Sequence, residues 1–315
     1  MKGLTDIPGI RVGHVSDFDA ITGCTAILCE QGAVGGVDIR GSASGTEETT
    51  CLDPLHVDPT AHAILLAGGS AFGLEAASGV RRYLEKRGAG VETPAGRIPI
   101  VPAAILYDLG IGKSHVRPNL AMGEAAAAAA TDQTVAEGSV GAGTGATVGK
   151  ALGMKQAMKS GVGSFTVTLP GGVLVSSLVV VNAFGDVRDP ATGKIVAGAR
   201  KSPPSREFAN AEEVVKQHAP EGLVRTNTTL AVVVTNARLA KVEVTKLAQF
   251  ASLGVARAIS PVNTLMDGDT TFALSIGDRR ADINSLGVAA AEAVVGGILR
   301  AVRLAKGLGG VPGLG

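Results

Sequence analysis

Tryptophan is absent and aromatic residues make up only 3% of the 315-residue chain, which excludes a stacking platform for nucleobases. Charge of either sign is not in excess. Lys and Arg number 29 against 28 Asp and Glu, and a formal charge of +1 provides no bulk attraction to nucleic acid or to an anionic membrane. Cys24, Cys29 and Cys51 are odd in number and follow no metal-ligand spacing. With no basic n-region leading into an apolar stretch at the start, the expected location is the reducing cytoplasm. Long apolar runs are missing as well: 172–181 is too short to span a bilayer, and the alanines of 125–130 lie between Glu124 and Asp132, so no membrane segment is expected. His14, His56, His62, His115 and His218 form no HExxH pattern, and Gly69-Ser70-Ala71-Phe72-Gly73 is not a Gly-x-Ser-x-Gly elbow. Zinc hydrolysis and a Ser-His-Asp triad therefore lack support, and neither metal nor organic cofactor is expected.

What is present is enough apolar sequence, 45% of the chain, to bury a substantial core. The 44 glycines follow no fixed period, so they read as turn and packing positions and not as a collagen or solenoid repeat. Short apolar segments at 26–29, 63–66, 164–168, 173–181, 229–234 and 271–276 predict strands. Between them, Ala76–Lys86 and residues 122–136, 211–218, 242–259 and 284–304 carry helical patterns. The alternation predicts an α/β layered fold. Residues 186–222 change character, with Pro190, Pro203, Pro204 and Pro220 among mixed charges, and read as a long surface excursion.

Four local features carry chemistry. Asn227-Thr228-Thr229 runs straight into Leu230-Ala231-Val232-Val233-Val234, which places a hydroxyl at the first position of an apolar strand. Taken alone, Thr228 and Thr229 are ordinary β-formers. If the preceding peptide bond breaks, however, hydroxyl and α-amine share one residue, and an amine of pKa about 7.7 to 8.0 is a local general base. The run from Gly138 to Lys150 lacks the phosphate-loop pattern, because Thr144 stands at the first glycine and Ala151 replaces the magnesium-binding hydroxyl. Its glycines instead let backbone approach a substrate, with Lys150 either directed into a cleft or facing solvent. Asp267-Gly268-Asp269 is a turn signal that also presents two carboxylates at the mouth of a strand. Asn182 ends the strand of 173–181, where it caps a turn or donates to a developing oxyanion, and Tyr107 closes the apolar stretch of 100–106.

In combination these segments resemble the L-aminopeptidase D-amidase/D-esterase (DmpA-like) family, on the side of its nylon-oligomer hydrolase branch. The resemblance runs nearly end to end, through 4–14, 37–41, Ala67-Gly68-Gly69-Ser70-Ala71-Phe72-Gly73-Leu74, 141–150, Val180-Val181-Asn182, Asn227-Thr228-Thr229 and Asp267-Gly268-Asp269. It implies a four-layer α/β/β/α sandwich, similar to N-terminal-nucleophile hydrolases with different connectivity. It also implies one catalytic domain, 1–315, that cuts itself between Asn227 and Thr228 into subunits 1–227 and 228–315. By the same resemblance Thr228 matches the nucleophile, Lys150 and Asn182 the polar residues around it, Tyr107 a substrate-side tyrosine, and Asp267 and Asp269 carboxylates that assist processing and catalysis. Asn263 departs from the pattern, since histidine is expected within Pro-Val-x-Thr.

The implied substrate is a small peptide, amide or ester, handled through an acyl-enzyme, and the implied assembly is a homotetramer or larger. Two alternatives carry different expectations. An acyltransferase like ornithine acetyltransferase shares the architecture, but the methionine-rich stretch expected at its cleavage site is missing here. A non-catalytic binding protein would keep the fold and stay uncut.

Overall fold

The structure, a computed structural model, describes residues 2–58, 60–217 and 226–315. The expected apolar segments all become strands, because aliphatic and β-branched side chains alternate between two faces that are both packed. In chain order the principal strands are β1 (Arg11–Asp17), β2 (Thr22–Ile39), β3 (Thr46–Glu47), β4 (Thr60–Ala67), β5 (Ala103–Ile105), β6 (Val162–Leu169), β7 (Val173–Asn182), β8 (Thr228–Ala237) and β9 (Thr270–Arg279). Hydrogen bonding follows the order β6-β7-β8-β9-β2-β4-β5-β3, with β1 also paired to β2. Most neighbours are antiparallel, but β8 and β9 run parallel, as do β4 and β5. The long β2 joins two halves: its first residues pair with β1 and β4, its last, from Val34, pair with β9, and the register with β4 shifts between Leu28 and Ala33.

Side-chain alternation turns this path into two stacked sheets. In β7, Leu178 and Val180 enter the same apolar layer as Ile64 and Leu66 of β4, whereas Val175, Val179 and Val181 face the opposite way. In β2, Ile27 joins the central layer while Ala26 and Leu28 face outward. Helices cover both outer faces. Helices α1 (Ala76–Lys86) and α2 (Leu120–Ala128) pack on the β2/β4 side, while α4 (Lys241–Ala258) and α5 (Ile283–Arg303) pack on the β7/β8 side; the short α3 (Ala211–Gln217) lies apart. The result is the expected α/β/β/α sandwich. By length and composition α5 could cross a membrane. Here Leu286, Ala290, Val294 and Ile298 instead fill the core against the sheet, and Ser177 Oγ donates to the Ala293 carbonyl at 2.7 Å.

Two expectations need correction. The alanine-rich helix stops at Ala128 and does not continue to 136, because Thr131 leaves it to exchange backbone hydrogen bonds with Val12 at 2.9 and 3.1 Å. Helix propensity there yields to an interstrand bridge. The segment 186–222 is also less superficial than its prolines suggest. Asp186–Arg188 pairs with Ile195–Ala197 and with Ile259–Ser260, and the buried Asp186 carboxylate accepts from the N–H groups of Ala199 and Ala211. The last turn of the expected helix at His218, with Pro220 and Gly222, lies outside the described residues.

Candidate active site

Three strand ends converge at one edge of the β7/β8/β9 sheet. Asn182 closes β7 directly opposite Thr228, which opens β8, and Thr270 at the start of β9 is in register with Leu230. The turn 267–269 thereby lies against the Asn227–Thr228 peptide, and Asn227 forms a parallel bridge with Asp267. Thr228 is buried, and its Oγ1 lies 2.5 Å from the carbonyl oxygen of Asn227. That oxygen also accepts from the Gly268 N–H at 2.8 Å.

Lys150 reaches the same place from the glycine-rich loop. Gly149 adopts φ +71°, and a Cβ there would lie about 2.0 Å from Gly198 backbone, so only glycine lets the chain pass this close. Backbone bonds from Gly149 and Lys150 to the carbonyls of Gly185 and Phe184 then fix the lysine's origin. Its Nζ donates to Asn182 Oδ1 at 2.8 Å, to the Asn182 carbonyl at 3.1 Å and to the Thr226 carbonyl at 3.3 Å. Burial lowers its pKa to about 7, against opposition chiefly from Asp267. The Asn182 amide donates to the carbonyls of Tyr107 at 3.0 Å and Thr226 at 3.2 Å.

The two aspartates occupy different roles in the turn. Asp267 Oδ2 accepts from Thr264 N and Oγ1 at 2.9 and 2.6 Å. Asp269 accepts from Thr229 N at 2.6 Å through Oδ1 and from Asn263 N at 3.1 Å through Oδ2. Burial, then the charge of Asp267, pushes Asp269 up to about 7, and burial raises Asp267 as well. Asn263 contributes its backbone N–H from a left-handed conformation, φ 55°, which asparagine tolerates; the departure from histidine leaves this contact intact.

A cavity of about 200 Å³ opens beside this cluster, with Tyr107, Ile111, Thr147, Lys150, Met154 and Thr226 in its wall. Thus Thr228, Lys150, Asn182, Asp267 and Asp269 assemble around the Asn227–Thr228 bond, with Tyr107 in the cavity wall and its carbonyl on Asn182. Sequence reasoning missed Asp108, Lys159 and the Gly268 N–H. Asp108 also lines the cavity and accepts from Thr22 Oγ1 and Gly69 N, both at 2.7 Å. Its signal was an acid directly after an apolar run. Lys159 carried none, since only folding surrounds it.

Residues 2–314 match peptidase family S58. The chain belongs to that family. As an S58 member it is a hydrolase of peptide or amide bonds. Among its S58 relatives is a protein of Mycobacterium leprae named as an uncharacterised aminopeptidase, 39% identical, with 99% of this chain and 93% of the relative aligned. A 6-aminohexanoate-oligomer endohydrolase from Kocuria is 32% identical over 86% of this chain and 74% of its own length. A Burkholderia β-aminopeptidase superposes with a TM-score of 0.69 at 25% identity, covering 100% of this chain and 91% of that one. The L-aminopeptidase D-Ala-esterase/amidase of Ochrobactrum anthropi superposes with a TM-score of 0.72 at 18% identity over 99% and 88%, which supports the fold alone.

Proposed function

We propose that this S58 member is a self-processing amide hydrolase whose nucleophile is Thr228, freed by cleavage of the Asn227–Thr228 bond. The observation that carries the reading is the placement of the Thr228 hydroxyl 2.5 Å from the oxygen of the carbonyl it must attack, opposite an asparagine that holds the half-buried Lys150. In the first stage Oγ1 adds to the Asn227 carbonyl carbon and its proton passes to the neutral form of Lys150. The C–N bond then breaks, the departing nitrogen takes a proton, and an ester links Asn227 to Thr228 Oγ1. Water then cleaves the ester C–O bond, giving an Asn227 carboxylate and restoring the Thr228 hydroxyl beside the amine already freed. The chains 1–227 and 228–315 remain one catalytic unit, since β8 lies in the sheet between β7 and β9.

In the second stage the Thr228 α-amine takes the hydroxyl proton, the hydroxyl attacks a substrate amide or ester, and an acyl-enzyme forms and hydrolyses. Cleavage also frees the Asn182 amide from its bond to the Thr226 carbonyl, provided the new chain end withdraws. Asn182 then donates to the substrate oxyanion, Tyr107 lines the acyl pocket, and Asp267 and Asp269 hold the amine end of Thr228. Suitable substrates are short peptides with a free amino terminus, amino acid amides or esters, β-peptides and linear amide oligomers, in keeping with the names of the relatives. The proposed assembly is a homotetramer or larger, which a monomeric mass in light scattering would contradict. Intact mass spectrometry should show two chains divided after residue 227, whereas Thr228→Ala should give one inactive chain. An active, or a divided, Thr228→Ala protein would defeat the proposal.

A further inference from the structure

We infer that the backbone N–H of Gly268 is the oxyanion donor for self-cleavage, an inference that rests on the processing reaction proposed above. When Oγ1 adds to the Asn227 carbon, the carbonyl π pair moves onto the oxygen, and the site must hold that negative charge until the C–N bond breaks. Among the described residues, two groups donate to this oxygen: the attacking hydroxyl itself and the Gly268 N–H at 2.8 Å. The hydroxyl becomes the new ester oxygen and gives up its proton. The Gly268 N–H remains. The Asn182 amide does not supply a substitute in the uncut chain, because its two N–H groups are directed to the carbonyls of Tyr107 and Thr226.

The donor is held from three directions before any reaction begins, which is what makes such a group effective. Outside the turn, Ala43 N donates to the Asp267 carbonyl at 2.9 Å, and Arg40 N and Gly41 N both donate to the Asp269 carbonyl at 3.0 Å. Within it, the Asp267 carboxylate is pinned by Thr264. On the far side of the scissile bond, Thr229 N donates to Asp269 Oδ1. The residue flanking the bond on one side and the residue after it are therefore tied to the same three-residue turn. Glycine is needed at its centre for space, since a Cβ at 268 would stand 2.8 Å from Thr228 Oγ1. The paired aspartates thus act on self-cleavage as positioning residues, by fixing the N–H between them.

The test replaces Gly268 by glycolate through nonsense suppression in a cell-free system, which exchanges the N–H for an ester oxygen and leaves the side chain as hydrogen. Cleavage after residue 227, followed by mass, should slow on the order of 100-fold. Cleavage at the rate of the unsubstituted protein would overturn the assignment while leaving Thr228 as nucleophile; failure of the unsubstituted protein to cut at all would overturn the processing reaction itself. Hydrolysis of the introduced ester is distinguished by its mass, which divides the chain after residue 267. A second measurement does not depend on the glycolate protein folding. In isotope-labelled, uncut Thr228→Ala protein, a through-bond nuclear coupling between the Gly268 nitrogen and the Asn227 carbonyl carbon is expected, and a freely exchanging Gly268 amide without it would overturn the inference.

Discussion

Two lysines, nine residues apart in sequence, make opposite uses of the same electrostatic penalty. Lys150 and Lys159 each have a pKa pushed down to about 7 by burial, and each is partly restored by Asp108. Lys159 is enclosed completely, with Nζ donating to the carbonyls of Ala146 at 2.5 Å, Ser160 at 3.1 Å and Gly143 at 3.5 Å. Two of those acceptors belong to the glycine-rich loop, and the third is the residue next to the lysine itself. Lys150 holds an asparagine amide and the Thr226 carbonyl two residues before Thr228, and it borders a cavity. A lowered pKa therefore does not identify a reactive lysine. The partners and the open space beside it do.

The sharpest break in this comparison is Lys150→Met. A methionine keeps much of the volume and removes the nitrogen, so self-cleavage should fall by about 100-fold or more, the usual loss on deleting a general base. The unsubstituted protein should show the matching pH dependence. As pH rises through about 7, Lys150 loses its proton, which raises the fraction competent to accept the Thr228 proton. Freshly synthesised precursor should thus cut roughly tenfold faster for each unit up to about pH 7 and level off above it. A profile flat between about pH 5.5 and 8.5 would remove Lys150 from the proton path, even if Thr228 remained essential.

Lys159→Met should reverse the pattern, with stability lost and chemistry kept. Removing Nζ leaves buried carbonyls short of a donor, which costs about 1–3 kcal/mol for each group left bare. Urea unfolding of uncut Thr228→Ala protein with and without the second change should show a loss at least as large as that for one such group, while self-cleavage of folded Lys159→Met stays within about tenfold of normal. The pH dependence of stability has a definite sign. Between about 7 and 10.5 the unfolded chain holds the Lys159 proton and the folded chain does not, so Lys159 makes stability rise with pH across that window. Lys159→Met should flatten part of that rise. A variant as stable as its parent, or one that has lost cleavage while folded, would erase the distinction between the two lysines.

The contrast also marks how far the sequence could be read. Strands were legible because side chains alternate against two packed faces; in β7 the alternation of Leu178 and Val180 with Val179 and Val181 assigns the layers. Thr228, Asn182 and the Asp267-Gly268-Asp269 turn were legible as strand ends. Lys150 was visible as the first charged residue after a glycine-rich run. Lys159 follows Ala157 and Met158 with no such mark, and its role exists only once three carbonyls close around it. The end of α2 was misread for the same reason, because an alanine run specifies helix locally while the bridge from Thr131 to Val12 spans more than a hundred residues. The Gly268 donor was hidden in principle, since a backbone N–H has no letter of its own.

Asp108 links the two lysines and offers the smallest effect. Its carboxylate is itself pushed up by burial and held by Thr22 and Gly69, yet its charge favours the protonated form of both lysines. Asp108→Asn retains an oxygen for one of those bonds and removes the charge. Without that charge the protonated form of Lys150 is less favoured, so its pKa falls and the midpoint of the cleavage profile moves to lower pH. For a contribution ranking behind burial, Asp267 and Lys159, the shift should be small. Above the plateau the cleavage rate should be little changed, since neutral Lys150 is then fully populated in both proteins. A midpoint displaced upward would mean that Asp108 does not act on Lys150 through its charge, and one displaced by more than a unit would make Asp108, not Asp267, the main counter-charge of the site.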